Sequence, residues 1–112
     1  MSGNLALTFS DLRTANVMRQ KEWDPGNKIT ASYRGNELAG ELGEACNVIK
    51  KLERERLGIL GSRSTVIALA EELADIVICT DLIAMHYDIL LFKAVRKKFN
   101  KTSVENKLIT RL

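Results

Sequence analysis

Apolar residues recur at three- and four-residue intervals along most of this chain, a spacing that predicts α-helix. Four helices are expected, over residues 10–23, 31–56, 65–85 and 89–99. Alternation of the kind that strands show is scarce, while Leu, Ala, Glu, Lys and Arg are plentiful. The pattern therefore predicts an all-α fold, a four-helix bundle with short connections.

Turn-forming and capping residues set the expected ends of these helices. Asp24-Pro25-Gly26-Asn27 should break the chain after the first helix, and the glycine-containing segment 58–64 should join the second and third. Ser64 and Asp88 are the expected N-caps of the third and fourth helices. The polar segment from Asn100 to Leu112 is expected to be loosely ordered or used in assembly.

The composition indicates one soluble domain spanning residues 1–112, large enough for one hydrophobic core. The third helix is apolar nearly all the way round, so we expect it in the middle of that core. No stretch of 18 residues is apolar and free of charged side chains, so no membrane span is expected. The N-terminus lacks the pattern of a secretory signal. Cys46 and Cys79 form no CxxC pair and are expected to be free thiols in a reducing cytoplasm.

Two short acidic motifs carry the chemistry of the chain. Glu41-Leu-Gly-Glu44 and Glu72-Leu-Ala-Asp75 each place two carboxylates at i and i+3, on one face of a helix. Their neighbours on that face are apolar, which predicts that both pairs point inward and converge. Such a cluster is costly unless a cation neutralises it, and hard oxygen ligands suit Mg²⁺ or Mn²⁺.

Other interpretations of the acids are open at this level. A single helical ExxE is usually a solvated face, and Lys51 or Arg54 could pair with some of these carboxylates. A di-iron site would need Glu-x-x-His pairs, whereas the chain has one histidine, His86, and no such pair.

The acidic motifs and their flanking segments resemble the MazG-like all-α NTP pyrophosphatases. The segments that match are Gly40–Ala45, Glu71–Ile76, Arg19–Trp23, Asp88–Leu90 and Lys98–Ser103, so the resemblance covers about residues 10–103. Members often read Glu-Glu-x-x-Glu at the first motif, where this chain has Gly40. Glu37, one turn earlier, is a possible substitute for the missing acid.

The resemblance implies hydrolysis of nucleoside triphosphates between the α and β phosphates, giving a nucleoside monophosphate and pyrophosphate. Glu41, Glu44, Glu72 and Asp75 would hold one or two Mg²⁺ ions, with Mn²⁺ as an alternative. Either Glu41 or Glu37 would orient or deprotonate the attacking water. The implied role is nucleotide-pool house-cleaning in the cytoplasm.

The resemblance also implies how substrate is held and how the chains assemble. The implied substrate-binding residues are Lys97, Lys98, Asn100, Trp23 and Arg19. Lys98 and Asn100 match a late basic motif that contacts phosphates, and Trp23 could stack on the base. Asn16 and Lys28 are further candidates for the nucleotide pocket. Family members form homodimers or homotetramers with sites near subunit junctions.

Three further functions fit parts of the sequence. The basic residues near the C-terminus suit a nucleic-acid-binding or antitoxin-like module, which would bind in a salt-sensitive way without metal. A purely structural bundle that assembles partners is the second, and a phosphoribosyl-ATP pyrophosphohydrolase with the same metal chemistry is the third.

Overall fold

The computed structural model describes residues 6–112 as four helices joined by short loops. They are α1 (Phe9–Trp23), α2 (Ala31–Arg56), α3 (Val66–His86) and α4 (Leu91–Glu105). No strand occurs in this range, so the all-α prediction is confirmed. Residues 1–5, part of the segment considered for a secretory signal, lie outside the described residues.

Threonine side chains cap the first three helices. Thr8 and Asp11 form a capping box at α1, in which each side chain accepts a hydrogen bond from the other's backbone N–H at 3.0 Å. Thr30 caps α2, and the Thr65 hydroxyl accepts from the N–H of Ala68 at 3.0 Å. The prediction of Ser64 as the cap of α3 is therefore wrong by one residue.

The turn between α1 and α2 forms where Pro25 and Gly26 predict it. The carboxylate of Asp24 accepts hydrogen bonds from the N–H groups of Lys28 and Ile29, both at 2.9 Å. These bonds reverse the chain, and α2 then begins at Ala31 and ends at Arg56, as its apolar spacing predicts.

The predicted start and end of α4 are wrong. Asp88 does not cap α4; it ends α3 in a left-handed conformation with φ of 54°. The N–H of Ile89 bonds the carbonyl of Ala84 at 2.9 Å, which completes a Schellman motif. The fourth helix begins at Leu91 and continues through residues 100–105, beyond the expected end at Phe99.

The two long helices α2 and α3 form the main packed pair, and α1 lies against α3. Contacts between α2 and α3 show that they run antiparallel. The carbonyl of Arg34, early in α2, lies 3.5 Å from the Cys79 sulfur late in α3. Further along α2, Glu44 lies beside Glu72, nearer the start of α3. The main contact of α4 is with α1.

A buried polar network ties α1 to α3 and to the segment before α4. Asp81 is 1% exposed and accepts hydrogen bonds from Arg13 Nε and Nη2 and, at 2.9 Å, from Asn16 Nδ2. Arg13 Nη2 also donates to the carbonyl of Ile89 at 2.7 Å. A bidentate pair of this kind fixes relative orientation as well as contributing energy.

The expectation that α3 lies wholly within a core holds for its second half. Cys79, Leu82 and Ala84 are buried there, whereas Leu73 in the first half and Val77 just past the midpoint are about half exposed. The apolar sequence of α3 therefore exceeds what α1 and α2 cover in one chain. Between residues 6 and 112, no helix has both the length and the apolar character needed to cross a membrane.

Candidate functional site

Three of the predicted carboxylates converge between α2 and α3. Glu41, Glu72 and Asp75 each present an oxygen, and these oxygens all lie within 4.8 Å of one another. The i, i+3 spacing places the acids on the facing sides of two antiparallel helices, which is what brings them together. Glu41 and Glu72 are partly buried, and Asp75 lies at the exposed edge.

The buried part of this cluster is short of positive charge. Glu41 Oε2 and Glu72 Oε2 are buried and have no hydrogen-bond partner among residues 6–112. Burial, reinforced by the negative charges of Asp75 and Glu44, raises the pKa of the Glu41 carboxyl above its usual value. Burial and the neighbouring carboxyl groups of Glu44 and Glu41 raise the pKa of Glu72 to about 7.

The fourth predicted ligand, Glu44, lies at the edge of the same cluster. It is exposed and is not one of the three residues whose oxygens converge most closely. Its charge nonetheless contributes to the raised pKa of both Glu41 and Glu72. All four predicted acids are therefore neighbours, with three in a position to share one cation.

A cavity of about 140 Å³ opens beside the acids, between α1, α2 and α3. Carboxylates form one part of its wall, and Arg19, Arg34 and Trp23 form another. The lining residues are Arg19, Trp23, Arg34, Glu37, Glu41, Asp75, Ile78, Cys79 and Leu82. The guanidinium carbons of Arg19 and Arg34 lie 4.8 and 5.9 Å from the centroid of the Trp23 ring. Anionic, cationic and aromatic groups thus share one small cleft.

Arg34 is a site residue that the sequence reasoning did not identify. It is 6% exposed, and its guanidinium donates to Glu37 Oε1 at 2.8 Å and to Gln20 Oε1 at 2.7 Å. Its spacing offered a signal, because Arg34, Glu37 and Glu41 stand at i, i+3 and i+7 on one helical face. Cys79 was also missed as a site residue, although it lies one turn after Asp75 on α3.

The α4 candidates are not brought to the cavity within one chain, since its lining comes from α1, α2 and α3. Lys97 and Lys98 are exposed on α4. The side-chain amide of Asn100 is engaged by the chain end, where Leu112 N donates to Oδ1 at 2.7 Å and the Leu112 carbonyl accepts from Nδ2 at 3.3 Å.

The two further candidates for the nucleotide pocket, Asn16 and Lys28, lie elsewhere in the fold. Asn16 is 2% exposed and donates to Asp81, so it belongs to the network that joins α1 to α3. Lys28 is exposed in the turn before α2, where its N–H bonds Asp24. Neither residue lines the cavity beside the acids.

The chemistry of the cleft follows from its two walls. Clustered carboxylate oxygens are donors for hard divalent cations, and the orphaned oxygens of Glu41 and Glu72 would gain a partner from one. Guanidinium groups beside an indole suit a ligand that is both anionic and aromatic. Comparisons of this chain with protein-family models, with curated proteins and with solved structures found no match.

Proposed function

We propose that this protein is a Mg²⁺-dependent nucleotide pyrophosphohydrolase of the MazG-like kind. It would hydrolyse (deoxy)nucleoside triphosphates between the α and β phosphates, giving a nucleoside monophosphate and pyrophosphate. The convergence of Glu41, Glu72 and Asp75 within 4.8 Å, beside a cleft with an arginine and tryptophan wall, is the observation that carries the proposal. House-cleaning of the cytoplasmic nucleotide pool is the role that we attach to this activity.

Glu41, Glu72 and Asp75 would hold the metal, with Glu44 as the fourth acid at the edge. The donor set fits Mg²⁺ or Mn²⁺ because every donor is a carboxylate oxygen, and two of those oxygens are buried without a partner among the residues that the structure describes. A bound divalent ion would supply neutralisation of the triphosphate charge and a lower pKa for a coordinated water. A bound divalent ion would also explain why a 112-residue domain tolerates acids in a partly buried interface.

The part of the cleft formed by Arg19, Arg34 and Trp23 would hold the nucleotide. Trp23 is 53% exposed, so its ring has free surface on which a base can stack. Arg19 lies over the ring and presents its charge to the same cleft, where it would meet a phosphate or a base edge. The nucleotide would therefore lie across the cleft, with its phosphates toward the acids of α2 and α3.

The same proposal includes assembly as a homodimer or homotetramer. Lys97, Lys98 and Asn100 lie on α4, whose main contact is with α1, and they do not line the cavity of their own chain. In an assembly, the basic surface of α4 would reach the site of a second copy and bind phosphates there. A phosphate role for α4 thus requires that the chains associate.

The direct test is pyrophosphate release from a panel of NTPs and dNTPs, with Mg²⁺ and with EDTA. Glu41→Gln and Asp75→Asn should abolish release, while Glu71→Gln, an exposed acid next to the cluster, should leave it unchanged. Pyrophosphate and monophosphate formed only with metal would support both the reaction and the site. Release of orthophosphate would place cleavage at another bond and contradict the proposal.

The alternatives enter as arms of the same experiment. Turnover of phosphoribosyl-ATP and of no other nucleotide would identify a different substrate for the same metal chemistry. Salt-sensitive binding of nucleic acid by folded protein that turns over no nucleotide would favour a binding module built on the basic α4.

A further inference from the structure

Glu37 differs from the other acids of the cleft in having a fixed cationic partner. It lies one turn before Glu41 on α2 and lines the same cavity. Its Oε1 accepts a hydrogen bond from Arg34 Nη1 at 2.8 Å and lies 3.6 Å from the Cys79 sulfur. Both contacts engage one oxygen, and no hydrogen bond within residues 6–112 reaches Oε2.

The two groups that hold Glu37 are themselves firmly placed. Arg34 is buried and is anchored on its other side by Gln20 Oε1 at 2.7 Å. Cys79 is 4% exposed on α3. Burial and the negative charge of Glu37 raise the pKa of the Cys79 thiol to about 11, so the group keeps its proton at neutral pH and remains an S–H donor. The single thiol proton is shared between Glu37 Oε1 and the Arg34 carbonyl, which lies 3.5 Å from the sulfur. The buried Arg34 guanidinium, assisted by this shared thiol, thus clamps one carboxylate oxygen.

The neighbouring acids are arranged for a different task. Glu41, Glu72 and Asp75 aim their oxygens at one another, and among the acids of the cleft within residues 6–112 only Glu37 forms an ion pair. A metal ligand gives its lone pair to the ion, whereas a general base needs a free lone pair near the reacting water. Glu37 has that free oxygen, and its side chain is 36% exposed, so water reaches it.

We infer that Glu37 takes the proton from the attacking water, and that Arg34 and Cys79 are positioning residues that hold its carboxylate in place; this rests on the proposed pyrophosphohydrolase activity. The clamp engages Oε1 and leaves Oε2 free, and Glu37 lines the same cavity as Glu41 and Asp75, so a water held in that cavity would lie beside it.

The step balances as follows. Glu37 Oε2 accepts one proton from water, and the water oxygen forms a bond to one of the two phosphorus atoms that flank the α–β bridging oxygen. The bond from that phosphorus to the bridging oxygen breaks, and its electron pair leaves with the bridging oxygen. Nucleoside monophosphate and pyrophosphate result, and Glu37 then returns its proton to solvent.

The first test separates proton transfer from metal binding. Glu37→Gln keeps the size of the side chain and should lower kcat about 100- to 10,000-fold, the usual contribution of a general base. Its affinity for Mn²⁺, measured without nucleotide by electron paramagnetic resonance, should match that of the wild type. Glu41→Gln should weaken Mn²⁺ binding directly. Glu37→Gln with normal kcat, or with Mn²⁺ binding lost, would overturn the assignment.

The second test addresses the clamp. Arg34→Lys and Cys79→Ala should each lower kcat about 10- to 100-fold, the range seen when an outer partner of a site residue is lost. KM should change little, and Cys79→Ser, which keeps a donor, should recover part of the loss. A change confined to KM would show that Arg34 binds substrate instead of positioning Glu37.

Chemical rescue distinguishes a chemical role of Glu37 from a purely structural one, because an added acid would not restore kcat if Glu37 only supported the fold. In Glu37→Ala, added formate should occupy the vacated position, pair with Arg34 and restore part of kcat. The double variant Glu37→Ala, Arg34→Gln should show no such recovery. Rescue that is independent of Arg34 would overturn the positioning role, whereas a folded wild-type protein that hydrolyses no nucleotide would overturn the proposed function itself.

Discussion

Glu72 is the residue whose ionisation should couple the site most directly to stability. Its pKa in the folded protein is about 7, against an ordinary value of 4.5. The folded chain therefore holds a proton through the interval from about pH 4.5 to 7 that the unfolded chain has already released. The stability contributed by this group is present below that interval and is lost as the pH rises through it.

We therefore expect Glu72→Gln to raise the melting temperature at pH 8 in EDTA, and to change it little at pH 5. The amide has the shape of the acid but carries no charge, so it removes the repulsion that appears at high pH. Thermal unfolding followed by circular dichroism at both values measures the effect. Glu71→Gln, an exposed neighbour, serves as the control. An equal gain for Glu72→Gln at both pH values would contradict the raised pKa.

Asp81 is the residue on which the packing of α1 against α3 depends most. It is 1% exposed and is bound by Arg13 and Asn16. Asp81→Ala should lower the free energy of unfolding by about 3–5 kcal/mol, because it leaves the polar groups of Arg13 and Asn16 without their hydrogen-bond acceptor. The exposed pair Glu53–Arg56 offers a matched control, and Glu53→Ala should cost less than about 1 kcal/mol. Urea unfolding of both variants measures the contrast, and similar losses would refute it.

At the scale of elements, the four helices could be predicted from the sequence, but the residues at which α3 and α4 end could not. Three helices end in Schellman motifs with a left-handed residue, namely Gly58, Asp88 and Lys107 with φ of 71°, 54° and 58°. Glycine signals this conformation in a sequence because it lacks a Cβ. Asp88 and Lys107 do not, and an aspartate after a helix looks the same as an N-cap for the next.

The candidate site likewise has features that local spacing predicts and features that depend on tertiary packing. The i, i+3 spacing placed each acidic pair on one helix face, and the apolar residues beside each pair predicted that the two faces pack together and make the four carboxylates neighbours. The clamp on Glu37 depends on which turn of α3 lies against α2, because Cys79 reaches Glu37 only in that register. The position of α4 depends on tertiary packing, which no local spacing in its sequence encodes.

The end of α4 gives an element-scale prediction. Lys107 adopts φ of 58°, which costs an L-residue about 1–2 kcal/mol relative to its preferred conformations. Lys107→Gly should therefore raise the free energy of unfolding by about 1 kcal/mol, after the larger entropy loss of glycine is counted. Lys107→Ala keeps the Cβ and should give no such gain. Equal urea midpoints for the two variants would show that the left-handed turn carries no strain.

At the scale of the whole molecule, one chain has more surface than its mass requires. Its accessible surface is 8489 Å², whereas a compact monomer of this mass exposes about 6,200 Å². Its radius of gyration is 17.5 Å, against about 13 Å for a compact domain of this length. The excess area exceeds the roughly 800 Å² per partner of a standard protein–protein interface.

The excess is organised in stripes along the two central helices. On α3 the residues Val66, Ala70, Leu73 and Val77 are exposed, and on α2 the exposed set is Ala39, Leu42, Cys46 and Ile49. Both sets follow three- and four-residue steps, the spacing of a helix face that packs on another helix. Exposed apolar faces of this extent are typical of surfaces that bind other chains.

Association of copies through these stripes is the last prediction. Light scattering coupled to size exclusion should give a mass of two or four chains, and Val77→Lys should lower it by placing a charge in an apolar interface. Leu60→Lys, in the exposed loop before α3, is the control because its side chain lies off both stripes. If the basic surface of α4 completes the site of another copy, Val77→Lys should also reduce nucleotide turnover while leaving the Mn²⁺ affinity of each chain intact. A monomeric wild-type protein with full activity would show that each chain carries a complete site and that α4 has no part in catalysis.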